Sequence, residues 1–172
     1  MAQQSLSAKK MAIMVSAGFD ETQFINLQKS MMSANGWLKV ISNKPGLVNG
    51  TNNGTLGMAY PVDAALSETL AIDYDGLIIP GGAAHIEKLK QEPHALRILK
   101  AFMRESMPVL LIDDAIDMLS TIETEVAASD LASNEAVTAF KNVVFATPNA
   151  TMPSALSALA NALTEIDEEQ AA

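Results

Sequence analysis

Hydrophobic residues fall along this chain in two alternating rhythms. Uninterrupted apolar runs such as Met11-Ala12-Ile13-Met14-Val15, Leu77-Ile78-Ile79, Val109-Leu110-Leu111-Ile112 and Val143-Val144-Phe145-Ala146 alternate with stretches whose apolar residues recur at helical spacing. A run without polar alternation suits a strand covered on both faces, as in a parallel sheet. The pattern predicts a strand over 11–15, a turn from Ser16 to Phe19, and a helix from Asp20 to Ala34 with Phe24, Leu27, Met31 and Ala34 on one face. Asn35-Gly36 ends that helix. A second strand, Leu38 to Ser42, runs into a glycine- and asparagine-rich excursion from Asn43 to Tyr60 whose spacing suits a hairpin.

Pro61 to Asp75 reads as a turn or helix fragment ahead of the third strand, Gly76 to Pro80. Gly81-Gly82 turns the chain into Ala83 to Lys90, and Pro93 opens a helix to about Ser106 with Leu96, Leu99, Phe102 and Met103 inward. The strand after Pro108 stops at Asp113-Asp114, where a helix-like pattern, Ala115 to Leu119, begins. Ser120 to Lys141 carries no usable pattern. Thr151 caps a final helix with Pro153 in its first turn and Leu156, Leu159, Ala160, Leu163 and Ile166 on its apolar face. Repeated strand-helix units with buried strands predict a parallel sheet between helical layers, joined by right-handed crossovers. We expect a flexible segment at 1–9, a single domain over 10–166 and a frayed acidic tail at 167–172.

Charge narrows the function classes. With 11 basic against 20 acidic residues, a net charge of -9 and no basic cluster, the chain is not expected to bind nucleic acid or an anionic membrane. No apolar stretch suits a signal peptide or a membrane span, so the expected location is the cytoplasm. In that setting the glycosylation-like triplets at Asn49, Asn53 and Asn149 are chance matches. The absence of cysteine excludes disulfides, thiolate metal sites and a cysteine nucleophile. No cofactor is implied.

The candidate chemistry gathers where the Pro108 strand ends. In α/β folds, ligands sit in the crevice outside the carboxyl ends of the strands, and here that end carries Asp113 and Asp114, with Asp117 one turn on. Asp113 at a sharp strand-to-helix turn suits a carboxylate nucleophile, or the cluster a hard cation. No ligand set or base is visible beside them, and helix-start charge complement explains Asp114 equally well. Asp117 suits a solvated position. His85 lies three residues after Gly82, near the crevice mouth, and reads as an ordinary surface histidine or a ligand contact; His94 follows Pro93 in a helix first turn. Methionines such as Met31, Met32, Met103, Met107 and Met118 read as packing filler or as an adaptable partner surface. Trp37 covers the entrance to the second strand.

Three segments carry a family resemblance: the first strand with Gly18-Phe19-Asp20-Glu21-Thr22-Gln23, then Tyr74-Asp75-Gly76-Leu77-Ile78-Ile79-Pro80-Gly81-Gly82, then Pro108 to Ala115. Together they resemble the ThiJ/PfpI family of the class I glutamine amidotransferase-like superfamily, which implies a flavodoxin-like three-layer α/β sandwich with a mostly parallel central sheet. Gly54 to Asp63 is similar also to the carboxyl-terminal domain of large-subunit catalases, a branch of the same fold. The resemblance does not imply catalase activity, since no haem-binding core fits this length.

The resemblance places Asp113 where family enzymes carry the nucleophilic cysteine, and Gln23 where a glutamate pairs with it. No histidine follows between Asp114 and Asn142. Peptidase, amidase, glyoxalase and deglycase activities are therefore not carried over. Gly81 and Gly82 match the family's oxyanion-side turn, and with His85 and Asp113 they are the expected ligand-binding positions; Asp113, Gln23 and Asp114 are the vestigial catalytic set. Gln23 is placed to donate its amide to Asp113 and to complete a capping box with Asp20, two roles that are compatible. The expected function is a noncatalytic interaction, accessory or small-ligand-binding domain, homodimeric as the family often is. The alternatives are a hydrolase or other acid-base enzyme using Asp113, and a stand-alone relative of the catalase terminal domain.

Overall fold

The computed structural model describes the backbone of residues 6–171 and the side chains of residues 6–163. The strands are β1 (Lys10–Val15), β2 (Phe19–Asp20), β3 (Trp37–Ser42), β4 (Leu47–Asn52), β5 (Thr55–Pro61), β6 (Ala64–Ala65), β7 (Gly76–Ile79), β8 (Val109–Ile112), β9 (Val137–Phe140) and β10 (Val143–Ala146). The helices are α1 (Glu21–Ser33), α2 (Ala83–Lys90), α3 (Pro93–Arg104) and α4 (Met152–Ala171). Seven strands form one sheet in the order β6-β3-β1-β7-β8-β10-β9, all neighbours parallel except β9, which runs antiparallel to β10.

The uninterrupted apolar strands are buried on both sides, and alternate residues feed two separate cores. Ile13, Ile78, Leu110, Ile112 and Val144 meet Phe24, Leu27 and Met31 of α1 and Leu156, Leu159 and Leu163 of α4. Leu77, Ile79, Val109 and Leu111 face Ile86 and Leu89 of α2 and Ile98, Leu99 and Phe102 of α3. The flavodoxin-like three-layer sandwich expected from the resemblance is the observed architecture. Connections leave β1 toward β3 on one side and return to β7 on the other. The switch point of the winding therefore lies between the carboxyl ends of β1 and β7, where such folds leave a crevice.

The excursion after β3 is a hairpin. Asn53 and Gly54 both take positive φ, 50° and 82°, the two-residue turn that matches strand twist. With β2 it forms a separate three-stranded sheet, β2-β4-β5, seated against α1. Met31 and Met118 are buried, Met103 and Met107 half-buried, and Met32 exposed, so the methionines act mainly as filler. Trp37 begins β3 and remains mostly in solvent, with Lys39 Nζ 5.5 Å from its ring centroid.

Several local expectations change. Leu6 is buried in the core and Ala8 N–H donates to Asn35 O, so the amino-terminal segment is fixed to the domain from Leu6 onward. On α3 the deepest residues are Ala95, Ile98, Leu99 and Phe102, with Leu96 and Met103 only half-buried, because the helix presents a stripe one position away from the expected one. Residues Asp113–Thr121 form tight 3-10 turns rather than an α-helix. The unpatterned region before Asn142 contains a 3-10 turn, Ala128–Leu131, and the edge strand β9. Thr151 Oγ1 accepts from Ser154 N–H as the expected cap. Helix α4 continues through the acidic stretch expected to fray, and the Ile166 side chain lies outside the described residues.

Candidate functional site

Three chain turns meet at the carboxyl end of the sheet: Ser16 to Asp20 after β1, Pro80-Gly81-Gly82 after β7, and Asp113-Asp114 after β8. The first two are laced together, with Asp20 N–H donating to Gly81 O at 2.8 Å. Their closeness demands glycine. Gly82 has φ 127°, and a Cβ there would stand 2.6 Å from Gly18 O and 2.9 Å from Phe19 Cα. At Gly81 a Cβ would stand 3.0 Å from Asp113 Cβ and 3.2 Å from Gln23 Oε1. Gly81, Gln23 and Asp113 are thus brought into one contact group, as the sequence suggested.

Within that group the hydrogen bonds differ from those expected. Gln23 Oε1 accepts from Gly81 N–H at 2.7 Å. Asp20 Oδ1 accepts from Gln23 N–H at 2.9 Å, one half of a capping box. The reciprocal half is not made, because Asp20 N–H is already committed to Gly81 O and the Gln23 side chain reaches across to the glycine turn. Nor is there a hydrogen bond between Gln23 and Asp113 among the described residues. Gln23 supports the turn instead.

Asp113 adopts φ 54°, a left-handed conformation that aspartate tolerates better than most side chains and that marks a strained elbow. Its carboxyl is half-buried and pushed up to about 6, first by burial, then by a hydrogen bond with the Asp114 carboxyl and by the negative charges of Asp114, Asp20 and Asp117. Near neutrality such an acid exchanges between a donating and an accepting form. Asp117 is exposed, as expected of a solvated residue. Among the described residues no three acidic, histidine or cysteine side chains are grouped as a metal ion would require.

His85 corrects the sequence reading most clearly. It is fully buried rather than a surface residue, because the first turn of α2 points inward beneath the Gly81-Gly82 turn. Its Nδ1 accepts from Ser16 N–H at 3.1 Å, and its Nε2 donates to Pro80 O at 2.7 Å. Burial drives its pKa down to about 4, so the ring is neutral. Both ring nitrogens are engaged within the fold. His85 ties the end of β1 to the end of β7. His94, by contrast, is exposed on α3.

Glu21 escaped notice in the sequence. It is buried, its Oε2 accepts from Met58 N–H at 2.6 Å, and it raises the Tyr60 hydroxyl pKa together with burial, the larger cause. A Cβ at Gly57 would overlap this carboxylate, so the glycine at 57 was the legible signal. Away from the elbow, a broad groove of about 1720 Å³ lies by the amino-terminal ends of β8 and β10. Lys100, Arg104, Lys141, Glu123 and Glu125 line it, and Lys141 is already bridged to Glu125 at 2.9 Å. The mixed charges give this groove no defined chemistry, and the elbow is the better candidate.

A model of the DJ-1/PfpI family matches residues 9–150. General stress protein 18 of Bacillus subtilis (strain 168) is 29% identical over 104 residues, a match spanning 60% of this chain and 59% of that protein. Among solved structures, the ThiJ/PfpI domain protein from Brachyspira murdochii is similar with a TM-score of 0.76 at 19% identity, covering 92% of this chain and 98% of that one. Schizosaccharomyces pombe DJ-1 is similar with a TM-score of 0.70 at 17% identity, covering 91% and 97%. At these identities the structural likeness is one of fold.

Proposed function

Because the chain belongs to the DJ-1/PfpI family, we propose that it is a noncatalytic member that has lost the family's cysteine chemistry and acts as an accessory, small-ligand-binding domain. The observation that carries this reading is the elbow: Asp113 adopts a strained φ of 54° beside Gly81, and the side chain it is hydrogen-bonded to is another acid, Asp114, rather than a histidine. The neighbouring histidine is committed to Ser16 and Pro80. A carboxyl near pKa 6 offers a ligand both a donor and an acceptor without needing to react. The relative's name supports a role in general stress.

The purified protein is expected to turn over no peptidase, amidase or glyoxalase substrate. Turnover that survives purification and disappears in Asp113→Ala would sink the noncatalytic reading. It would favour the second one, an acid-base hydrolase in which Asp113 and Asp114 share a proton, supported by the raised Asp113 pKa. That enzyme should show a pH-rate inflection near 6 that vanishes in Asp113→Asn.

A further inference from the structure

Three asparagine–glycine pairs occur along the chain: Asn35-Gly36, Asn49-Gly50 and Asn53-Gly54. Such a pair holds an electrophile beside its own nucleophile. The glycine nitrogen can close on the asparagine side-chain amide carbon, and glycine, lacking a Cβ, resists that approach least. Closure needs a glycine N–H that is not committed to a hydrogen bond and a peptide link that is free to rotate toward the side chain. Packing and hydrogen bonding grant these conditions unequally. Asn35 is exposed, yet Gly36 N–H donates to Met31 O and Asn35 O accepts from Ala8 N–H, both at 2.9 Å. Asn49 is half-buried and its O accepts from Gly18 N–H at 2.9 Å, while Gly50 is buried with the Phe19 ring 2.9 Å from where a Cβ would stand.

Asn53 and Gly54 form the exposed tip of the β4–β5 hairpin, beyond the last paired residues, Asn52 and Thr55. Neither the Asn53 side chain nor Gly54 N–H has a hydrogen-bond partner among the described residues, and nothing lies within 4 Å of where a Gly54 Cβ would stand. Exposure does not separate Asn53 from Asn35; the freedom of its peptide link does. We propose that Asn53, and neither Asn35 nor Asn49, is a site of spontaneous deamidation, with water as the co-reactant. The Asn53–Gly54 link rotates out of the left-handed turn, and the Gly54 nitrogen forms a bond to Asn53 Cγ. The Gly54 proton passes through solvent to Nδ2, the Cγ–Nδ2 bond breaks, and ammonia departs to leave a cyclic imide. Water then opens the imide at either carbonyl carbon. Opening at Cγ gives aspartate; opening at the main-chain carbonyl gives isoaspartate, in which the chain runs through Cγ.

Both products place a carboxylate in a stretch, Pro45 to Val62, that contains no charged residue. Isoaspartate also adds a methylene to the backbone of a turn whose two residues both depend on positive φ, 50° and 82°. Strand β5 is held farther in, by Tyr60 at 4.6 Å from Phe24 and by Met58 N–H on Glu21. The altered geometry is therefore confined to the tip, and the chain persists folded as an aged, more acidic form.

Incubation of the full chain under mildly alkaline conditions, folded and in guanidinium chloride, tests this by fragment-ion mass spectrometry, which assigns the converted residue. In the folded chain Asn53 should convert at least about a hundredfold faster than Asn35 and Asn49, which wait on local opening. In guanidinium the three should convert within about threefold of one another, because only the local sequence then acts on them. Heavy-oxygen water should label every converted chain, and the aspartyl and isoaspartyl peptides should separate by chromatography at equal mass. Asn53→Gln, whose longer side chain cannot close the same ring, should abolish the product in the folded chain. An Asn53 that survives intact in the folded chain overturns the proposal, as does Asn35 or Asn49 keeping pace with it there. An equal advantage for Asn53 in guanidinium would place the selectivity in the sequence and overturn the role of the fold.

Discussion

Asp113 carries a backbone cost and an electrostatic cost together. Its φ of 54° lies in the left-handed region, which aspartate tolerates better than most residues but still at some cost, and three carboxylates surround it. The native state raises its pKa from 3.8 to about 6, so it holds the proton more tightly than the unfolded chain does. The destabilisation this brings is absent below about pH 3.8, grows as pH rises, and is complete above about 6. Asp113→Asn, which suits the same φ, should therefore stabilise the protein at neutral pH by about 1 kcal/mol, a gain limited by solvent screening at a half-buried site, and by nothing near pH 4. Gln23→Glu preserves an acceptor for Gly81 N–H but adds a charge beside Asp113, and should cost about 1 kcal/mol at neutral pH. In the Asp113→Asn background that cost should shrink. Urea melts of the two single variants and the double variant measure the coupling; strictly additive effects would show that the two side chains do not sense one another.

At the scale of elements, two glycine turns place different demands on the chain. Gly54 has φ 82° in the hairpin turn, with nothing within 4 Å of where a Cβ would stand. Gly82 has φ 127° and backbone atoms of the β1 turn pressed against it. Alanine at 54 should cost about 1 kcal/mol from backbone strain alone, whereas alanine at 82 should cost at least about 3 kcal/mol, since the β1 and β7 turns must separate to admit it. Thermal melts of the two variants decide this, and equal losses would argue that the turns at the elbow are compliant. The 3-10 turns after Asp113 have a related origin. A strand that ends in a left-handed residue redirects the chain at once, and the short, irregular turns that follow bury Ala115, Met118 and Leu119 without an α-helical spacing.

For the molecule as a whole, His85 and Asp113 pull stability in opposite directions over the acid range. The His85 ring stays neutral in the fold down to about 4, whereas an unfolded histidine takes a proton near 6.5. Its contribution is therefore complete above 6.5 and lost as pH falls toward 4, on the order of 3 kcal/mol for a fully buried ring. Asp113 favours the folded state increasingly over much of the same fall, from about 6 to 3.8. Removing the opposing group should expose each: Asp113→Asn should lose stability more steeply on acidification than the parent, and His85→Leu less steeply. The histidine variant should also be weaker at neutral pH by about 1–3 kcal/mol for each buried group it strands, Ser16 N–H and Pro80 C=O. Denaturant melts at a series of pH values test both slopes, and parallel curves for the parent and His85→Leu would exclude His85 as an acid-labile tie.

What the sequence determined by itself is the layered architecture, because burial on two faces leaves a local record. Val109 to Ile112 had to be an interior strand and Phe24, Leu27 and Met31 an inward helix face, each from a few consecutive residues, whereas the excursion from Asn43 to Tyr60 suited a hairpin whose turn only the structure placed, at Asn53-Gly54 rather than Asn49-Gly50. The contact between Gly81 and Asp113 was legible for the same reason, as both follow apolar strands at the carboxyl end of the sheet. The tertiary structure alone decided which partner each polar group took. Gln23 bonds Gly81, 58 residues away, and His85 bonds Ser16, 69 residues away. No local pattern records such pairings, and so His85 looked like a surface residue and Glu21 drew no notice. The weakly patterned strand β9 stayed hidden because an edge strand packs on one neighbour only and needs no continuous apolar run. Short-range periodicity reports how much of a segment is buried, and only the folded chain settles what it is buried against.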